Sequence, residues 1–301
     1  MKIAHIEYGF SYPPQGGEQL RTSKECELLS KRFNIKLFYP SVREIKGKPS
    51  FEIESFEYEY QVGRKSRVFW KDKKLIKNIT NKLKDFKPAL IHHHFGAMPT
   101  LINAVIAGNK LEIPQVVTFH QFWPLCYRGT YWDFNGKVCN ERNVCGKCML
   151  TIPLVNKAMD LRWRKTVQWI FGSINHFVTY SDFMKQKVID AGVEGKNITA
   201  IPYGVDFENV PSENLKREYV IFSGRLSREK GVDLFIRAVS KIKEKGFKTV
   251  IIGDGPQRKE YENLADKLGL NIQFTGWLND RNEYYQYLKK AICIVIPSLW
   301  I

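Results

Sequence analysis

Short apolar runs alternate with amphipathic segments along most of the chain, and this alternation limits the fold more than any other feature. The apolar runs before residue 204 are typical of buried strands and fall at Lys2–Tyr8, Ile35–Tyr39, Ala89–His94, Gln115–His120, His176–Ser181 and Ile198–Tyr203. Segments with helical periodicity lie between them, at Glu18–Arg32, Lys71–Lys84, Met98–Gly108, Pro153–Phe171 and Asp182–Ala191. The segment Phe51–Tyr60 alternates apolar and acidic residues and predicts a half-exposed strand. Strands that alternate with helices predict an α/β fold with a doubly wound parallel sheet.

The alternation lapses at residues 206–217, a polar stretch that contains Pro211 and predicts a linker. Strand-like runs then recur at Tyr219–Gly224, Thr249–Gly253, Ile272–Trp277 and Ala291–Pro297, with helical segments at Gly231–Lys245, Gln257–Leu268 and Asp280–Lys290. We therefore expect the 301-residue chain to form two α/β domains, residues 1–205 and 218–301. Because no helical segment follows the last run, the second domain is expected to be incomplete.

The net charge of +16 indicates an anionic partner: nucleic acid, a membrane surface or a phosphorylated ligand. Cations are densest between Arg64 and Lys87, where apolar residues recur at near-helical spacing, and Lys157–Phe171 combines cations with Trp163 and Trp169. Each segment is interpreted either as a helix that contacts an anionic membrane or a lipid-linked acceptor, or as a surface helix packed on the sheet with its cations in water.

The sequence has no run of roughly 18 uncharged apolar residues, the length that a transmembrane helix needs. The N-terminal run Met1-Lys2-Ile3-Ala4-His5 lacks the apolar core of a signal peptide. We therefore expect a cytoplasmic location, with peripheral contact to the inner face of the membrane as one option.

Arg225 and Lys230 lie on the predicted turn between the strand that ends at Gly224 and the helix that starts at Gly231. A helix N-terminus attracts anions through its unpaired N–H groups and its dipole. Two cations beside it suit two adjacent negative charges, such as those of a diphosphate. The alternative interpretation is that both are solvated loop cations.

Two further glycine-rich turns follow predicted strands. Gly16-Gly17 precedes the first helix, and Gly253-Asp254-Gly255-Pro256 closes a strand in the second half. Paired glycines let a ligand approach backbone N–H groups closely, although each pair is also compatible with a simple tight turn. Since the chain lacks both the G-x-G-x-x-G fingerprint and a phosphate-loop sequence, the turns indicate ligand binding at strand ends without naming a dinucleotide.

Six short motifs follow one another along the chain: Gly16-Gly17, Val117-Thr118-Phe119-His120, Ile201-Pro202-Tyr203-Gly204-Val205-Asp206, Ser223-Gly224-Arg225 with Lys230-Gly231, Gly253-Asp254-Gly255-Pro256 and Phe274-Thr275-Gly276-Trp277-Leu278. In this order they resemble family 4 glycosyltransferases over essentially the whole chain. The resemblance implies two Rossmann-like domains that face a cleft, the GT-B fold. It implies a hexosyltransferase or related enzyme that moves a sugar with retention from a nucleotide-diphosphate sugar to a saccharide or lipid-linked acceptor. It also implies no catalytic metal and a role in cell-surface polysaccharide or glycolipid synthesis.

The resemblance also assigns roles to residues. Arg225 and Lys230 would hold the donor diphosphate and stabilise the negative charge that builds up as it leaves. His120 would lie at the donor sugar. The leaving phosphate would accept the acceptor's proton on the same face of the sugar. The donor-binding positions that the resemblance implies are Gly16, Gly17, Gly224, Arg225, Lys230, Gly253, Gly255 and Leu278.

The chain departs from the family pattern near its end. Family members usually carry a pair of glutamates soon after the Pro-Ser that is Pro297-Ser298 here, and only Leu299, Trp300 and Ile301 follow. A truncated, catalytically impaired protein that still binds nucleotide sugars is therefore the alternative function.

Four cysteines cluster between residues 121 and 150: Cys126, Cys139, Cys145 and Cys148. Cys145 and Cys148 form a C-x-x-C turn, and four thiolates suit a structural zinc ion or, as an alternative, an iron–sulfur cluster. A loop-like insert of this length is uncommon in a compact domain unless a bound group or a cross-link holds it in place. Two disulfides or plain reduced thiols are the alternatives, and a cytosolic setting disfavours disulfides. A basic zinc-containing nucleic-acid-binding protein is a further alternative. Because no finger spacing, helix-turn-helix or RNA-binding sheet is recognisable, we predict no nucleic-acid partner.

His92-His93-His94 ends one of the predicted strands. In an extended strand His92 and His94 share one face and His93 takes the other. The histidines are interpreted as lining a ligand cleft. A metal site is the alternative, and it requires another histidine or a carboxylate nearby.

Overall fold

The computed structural model describes residues 1–14, 16–41, 45–58, 71–95, 98–122, 125–126, 129–132, 139, 148, 153–204, 215–242, 246–278 and 280–299. The chain divides into two compact units. The first comprises Met1–Thr130 and Asn143–Tyr203, and the second comprises Tyr131–Arg142 and Gly204–Ile301. The domain limits drawn from the sequence stay a prediction.

The first unit is built on a seven-stranded sheet in which all paired strands are parallel. Its strands are β1 (Lys2–Glu7), β2 (Asn34–Pro40), β3 (Glu52–Phe56), β4 (Leu90–Phe95), β5 (Gln115–Phe119), β6 (His176–Thr179) and β7 (Ile198–Ala200). They are arranged in the order β3-β2-β1-β4-β5-β6-β7. The chain winds outward in one direction from β1 and in the other from β4, so the switch point of the sheet lies between these two strands. Open α/β sheets bind ligands outside the carboxyl ends of the strands at such a point.

Among the described residues, five helices cover this sheet: α1 (Gly17–Ser30), α2 (Lys73–Phe86), α3 (Met98–Lys110), α4 (Pro153–Ser173) and α5 (Asp182–Asp190). The apolar face of α4 packs Trp163, Val167 and Ile170 against β5 and β6 residues such as Val117 and Phe177. Burial of this apolar surface is the main force that holds the helix to the sheet.

Helix α2 is the described part of the basic segment between Arg64 and Lys87, and its packing bears on how that segment could contact a membrane. Asp72 caps the helix by accepting the N–H groups of Lys74 and Leu75 at 2.9 and 3.1 Å. The apolar side chains of the helix are all buried in the unit: Leu75, Ile76, Ile79, Leu83 and Phe86. The helix therefore has no apolar face left to insert into a bilayer, and its exposed lysines alone remain available to an anionic surface. Residues 59–70 lie outside the described residues.

The second unit contains a four-stranded parallel sheet in the order β10-β9-β8-β11. Its elements are β8 (Tyr219–Ser223), α6 (Val232–Ser240), β9 (Lys248–Ile252), α7 (Arg258–Lys267), β10 (Ile272–Gly276), α8 (Arg281–Lys289) and β11 (Ala291–Val295). Phe222, Phe235 and Ile251 lie in the core between the sheet and α6 and α7. The chain reverses its winding direction between β8 and β11, which makes the turn after β8 the switch point here.

The predicted α/β fold with two parallel, Rossmann-like sheets is confirmed, and the differences lie at element ends. The strand predicted to reach Ser181 stops at Thr179, because Ser181 turns to cap α5 and accepts the N–H of Met184 at 3.2 Å. The helix predicted at Gly231–Lys245 starts at Val232, since Gly231 is left-handed, and ends at Ser240. Among the described helices, none is both long and apolar enough to cross a membrane.

Candidate functional site

A group of histidines gathers at the switch point of the first sheet. His5 on β1 is the register partner of His92 on β4, and His94 lies two residues further along the same face. The rings of His92 and His94 are 4.3 Å apart between centroids, and those of His5 and His94 are 5.1 Å apart. His93 points to the opposite face, where its Nε2 lies 2.8 Å from Gln115 Oε1. The predicted alternation of the His-His-His run is therefore confirmed.

Two histidines of this group, His5 and His94, continue through His120 to Tyr180 in a line of hydrogen-bond contacts. His5 Nδ1 lies 2.8 Å from His94 Nε2, and His94 Nδ1 lies 3.2 Å from His120 Nε2. His120 Nδ1 in turn lies 3.3 Å from the Tyr180 hydroxyl. A neutral imidazole has one N–H donor and one acceptor nitrogen, so the tautomer of one ring fixes that of the next along the line.

Burial keeps these imidazoles uncharged. It lowers the pKa of His5 and of His120 to about 3 each, with the Glu25 carboxylate acting in the opposite direction. His120, which immediately follows β5, is therefore a neutral hydrogen-bonding group at physiological pH. This is the form that can bond a hydroxyl without adding charge.

Glu25, on α1, faces the histidines. One of its carboxylate oxygens lies 3.1 Å from His92 Nδ1, and His92 Nε2 lies 2.7 Å from Thr118 Oγ1. Burial is the largest single influence and opposes ionisation of Glu25, but the hydrogen bond from His92 and the electrostatic effect of the nearby histidines together outweigh it and hold the carboxyl pKa below its usual range. The cluster thus contains an ionised carboxylate beside imidazole nitrogens.

An aromatic stack supports the far end of the hydrogen-bonded line. The rings of Tyr180 and Tyr203 stack with centroids 3.7 Å apart. The Arg21 guanidinium lies over both rings, at 5.6 Å from the centroid of Tyr180 and 4.9 Å from that of Tyr203. Such cation–π contacts add to the stacking and limit the positions of the Tyr180 hydroxyl.

The sequence analysis identified His120 and the His92–His94 run as candidate site residues but missed His5, Arg21, Glu25 and Tyr180. The sequence held a signal for Arg21 and Glu25. Arg21 and Glu25 are four residues apart on α1, so they lie on one face of the helix that follows the Gly16-Gly17 turn. Pairing of β1 with β4 brings in His5, and that pairing is not local in the sequence.

The Gly16-Gly17 turn leads from β1 into α1, with Gly16 in the N-cap position. A Cβ atom at either glycine would meet nothing within 4 Å among the described residues. Packing among the described residues therefore does not require glycine at these two positions. Gly253 and Gly255 of the second unit, described below, differ in this respect. An open backbone at this position leaves room for a ligand to approach N–H groups.

The second unit holds three glycine turns that touch through their backbones. Gly224 N–H donates to the Ile252 carbonyl, and Gly253 N–H donates to the Gly276 carbonyl, both at 2.9 Å. A Cβ at Gly253 would overlap the Gly224 carbonyl oxygen, and one at Gly255 would overlap the Leu226 carbonyl oxygen. Glycine is therefore a steric requirement where the turns after β8 and β9 cross.

Arg225 and Lys230 both lie in the connection between β8 and α6. A short 3₁₀ turn at Arg228–Lys230 precedes Gly231, whose φ of 66° is left-handed and whose absent Cβ makes room for the Pro297 carbonyl. No side chain caps the N–H groups of α6, since Gly231 is the N-cap residue. Arg225 is exposed and Lys230 half-buried, and burial lowers the pKa of Lys230, with Glu229 acting in the opposite direction.

The remaining predicted site residues are placed as follows. Leu278 packs on the cluster of Ile221, Val250 and Ile252 in the second unit. Cys126, Cys139 and Cys148 are half-buried, and the described cysteines form no disulfide with one another. Cys145 lies outside the described residues. The zinc site of the four cysteines stays a prediction.

Comparison with known families and proteins gives consistent matches. Residues 26–209 match the family described as Glycosyltransferase Family 4, and residues 206–300 match the family described as Glycosyl transferases group 1. Alpha-D-kanosaminyltransferase of Streptomyces kanamyceticus is 36% identical over 169 residues, which are 52% of this chain and 39% of that protein.

A second relative is GalNAc-α-(1→4)-GalNAc-α-(1→3)-diNAcBac-PP-undecaprenol α-1,4-N-acetyl-D-galactosaminyltransferase of Campylobacter jejuni. It is 30% identical over 88 residues, which are 28% of this chain and 24% of that protein. The crystal structure of Anabaena HepE in complex with UDP-glucose superposes with a TM-score of 0.68 at 16% identity, covering 99% of this chain and 74% of that one. This likeness shows a shared fold. The matching segments span only 21–39% of the lengths of the curated relatives.

Proposed function

The chain belongs to glycosyltransferase family 4, and on that premise we propose that it transfers a sugar from a nucleotide-diphosphate sugar to a saccharide or lipid-linked acceptor. The observation that carries the proposal is the β8–α6 connection. It combines Arg225, Lys230 and a helix N-terminus without a side-chain cap at the switch point of the second sheet.

Charge at the leaving group is the chemical reason for this assignment. When the glycosidic bond to the donor phosphate breaks, negative charge grows on the diphosphate. Positioned cations and helix N–H groups stabilise that charge more in the transition state than in the bound donor. Arg225 and Lys230 take this role in the proposal, and the Gly224 and Gly253 turns let the nucleotide approach the backbone.

The proposed transfer retains the anomeric configuration. The departing phosphate oxygen takes the proton of the acceptor hydroxyl while that hydroxyl forms the new bond on the same face of the sugar. His120, neutral through burial, is the proposed partner of a donor-sugar hydroxyl. The Gly16-Gly17 turn is the proposed contact of the first unit with the donor, in keeping with the open space at both glycines.

We propose a uridine diphosphate sugar as the first donor to test, because HepE binds UDP-glucose on the same fold. The acceptor class is proposed from the relatives, one of which is named for an undecaprenol-linked glycan and another for kanosaminyl transfer. A role in cell-surface glycan synthesis follows from the lipid-linked class.

Two finer features belong to this proposal. The first is peripheral contact with an anionic membrane through a groove of about 590 Å³ beside α2 and α3, whose lining includes Lys73, Lys77, Lys84 and Lys110. Each lysine near such a surface contributes about 1 kcal/mol of attraction. The second is a structural zinc ion held by Cys126, Cys139, Cys145 and Cys148.

The experiment that tests the function is a comparison of donor binding and turnover. Thermal shift is measured with uridine, guanosine and adenosine diphosphate sugars, and with an oligonucleotide as the nucleic-acid control. Sugar release or transfer is then measured with the donor that binds. We expect one sugar nucleotide to stabilise the protein and the oligonucleotide to leave it unchanged.

Variants sharpen the test. Lys230→Ala and Arg225→Ala are expected to lower turnover by at least about 100-fold, since one transition-state donor contributes this order of magnitude. Arg228→Ala is the matched control, because this exposed arginine in the same connection faces Glu260 at 3.8 Å. Stabilisation by the donor without turnover in the wild type would favour the impaired nucleotide-sugar-binding protein. Equal turnover in all three variants would rule out the proposed role of the connection.

A further inference from the structure

We propose that His5, Glu25, His92 and His94 form a binding site for a divalent transition-metal ion of the Zn²⁺ type, at the switch point of the first sheet. One ligand atom from each residue lies within 4.8 Å of the others. The sequence allowed a metal at the His92–His94 run only if another histidine or a carboxylate came close. The structure supplies both, from β1 and from α1.

The ligand atoms are nearly at coordination distance. In a tetrahedral zinc site with Zn–N bonds of about 2.0–2.1 Å, two ligand atoms lie about 3.3 Å apart. His5 Nδ1 and His94 Nε2 are 2.8 Å apart, and Glu25 Oε1 and His92 Nδ1 are 3.1 Å apart. Small ring rotations that widen these two pairs are sufficient to place an ion between them.

The charge of the cluster favours a cation. Glu25 brings a carboxylate whose side chain is only 22% exposed, and His5 and His94 are buried. A largely buried anion is costly unless a positive charge pairs with it.

The ligand set selects the class of ion. Three imidazoles and one carboxylate are typical of zinc and of its neighbours nickel, copper and cobalt, whereas calcium and magnesium prefer oxygen ligands. Four protein ligands fill a tetrahedral site and leave no open position for water. The ion is therefore structural in this proposal and does not take part in a reaction step.

The ring nitrogens of His92 and His94 that do not face the proposed ion have hydrogen-bond partners, as is usual at metal centres. Ligating histidines usually donate their second N–H to a fixed acceptor, which orients the ring. His92 Nε2 lies 2.7 Å from Thr118 Oγ1, and His94 Nδ1 lies 3.2 Å from His120 Nε2. An ion on His94 Nε2 places the His94 proton on Nδ1, so that His120 accepts it at Nε2. The metal thus fixes the tautomer of His120.

The test is metal binding by the full-length protein, without a donor sugar and after removal of any histidine tag. All measurements use a Cys126→Ser/Cys148→Ser background, which takes away two of the four ligands of the proposed cysteine site. Zinc is measured after dialysis against buffered Zn²⁺, and Co²⁺ is added to the apo protein to record its visible d–d bands. We expect one equivalent of zinc and a cobalt spectrum without thiolate charge-transfer absorption.

Two variants and a control define the site. Glu25→Gln keeps the size of the side chain and a hydrogen-bonding oxygen, and His92→Asn removes the ring. Each is expected to lower zinc affinity by at least about 100-fold, the upper end of the effect of an outer-shell partner. His93→Gln on the opposite face of β4 is the control and is expected to bind zinc as the background protein does.

Two results would overturn the proposal. One is the absence of stoichiometric zinc and cobalt binding in the Cys126→Ser/Cys148→Ser background. The other is equal affinity in Glu25→Gln and in the background, a comparison that holds even if His92→Asn does not fold. Because no sugar nucleotide is present, either result leaves the transferase proposal untouched, and loss of transferase activity leaves the metal proposal untouched.

Discussion

The carbonyl oxygen of Gly224 occupies the space where a Cβ on Gly253 would lie. Gly253 also has a φ of 127°, a conformation that residues with a side chain rarely adopt. The turns after β8 and β9 therefore meet at a contact that only glycine allows.

Gly253→Ala is expected to destabilise the protein by about 2–4 kcal/mol, the range typical of steric overlap combined with backbone strain. Urea unfolding followed by circular dichroism measures the change in the free energy of unfolding. An alanine variant as stable as the wild type would show that the two turns can separate at little cost.

Gly16→Ala is expected to leave stability nearly unchanged and to weaken donor binding. Its Cβ meets nothing within 4 Å and its φ is −151°, so stability should change by less than about 0.5 kcal/mol. If a donor approaches this backbone, the added methyl group displaces it and weakens donor binding. Isothermal titration with the preferred sugar nucleotide measures the affinity. Unchanged affinity would remove the Gly16-Gly17 turn from the donor site.

Glu18 should make stability depend on pH. Burial raises the pKa of Glu18 to about 7, while the hydrogen bond from Gln121 Nε2 at 3.2 Å acts in the opposite direction. Because the folded-state pKa lies above the unfolded value, the stabilising contribution is complete below about pH 4.5 and is lost as the pH rises through 7. Glu18→Gln should therefore be more stable than the wild type at pH 8, by up to about 3 kcal/mol.

The measurement for Glu18 is a pair of unfolding curves for wild type and variant at pH 5.5 and at pH 8. Other titrating groups contribute equally to both proteins, so the difference between the proteins isolates Glu18. The stability gain of the variant should be much larger at pH 8 than at pH 5.5. A gain that is the same at both pH values would contradict the prediction.

Tyr180→Phe removes the hydroxyl that lies 3.3 Å from His120 Nδ1 and keeps a ring to stack on Tyr203. Stability should fall by about 1 kcal/mol, the net contribution of one hydrogen bond. Because His120 loses the group that orients it, the turnover number should fall more than the KM for the donor changes. Steady-state kinetics separate the two parameters.

The control for Tyr180 is His176→Gln in the same unit, since His176 bonds Thr199 instead of the histidine line. This control should leave both kinetic parameters unchanged. If Tyr180→Phe behaves like the control, the line does not act on His120.

The sequence was sufficient to predict both parallel sheets, because hydrophobic periodicity and glycine turns are local signals. The turn with Arg225 and Lys230 was predicted as a strand-to-helix connection, and it is one. The left-handed residue at Gly231 delays the helix to Val232. The close approach of Pro297 to Gly231 could not be predicted, because it comes from a distant part of the chain.

Only part of the histidine cluster could be predicted from the sequence. His92 and His94 were assigned to one face from the strand period alone. Their partners His5 and Glu25 come from β1 and α1, and they reach the cluster only through the pairing of β1 with β4. Such contacts depend on the order of strands in the sheet, which a single sequence does not encode locally.

The crossing of the glycine turns in the second unit has a consequence for how a protein of this kind can change over evolutionary time. The turns at Gly224, Gly253 and Gly276 are joined by hydrogen bonds between main-chain atoms, which form with any side chain at the neighbouring positions. Arg225, Asp254 and Trp277 are exposed immediately next to them. If the proposed donor site is correct, substitution of Arg225 or Trp277 changes what contacts the ligand and leaves these main-chain hydrogen bonds in place. Asp254 differs from them, because its carboxylate accepts the N–H of Gly255 at 2.7 Å and so belongs to the turn itself.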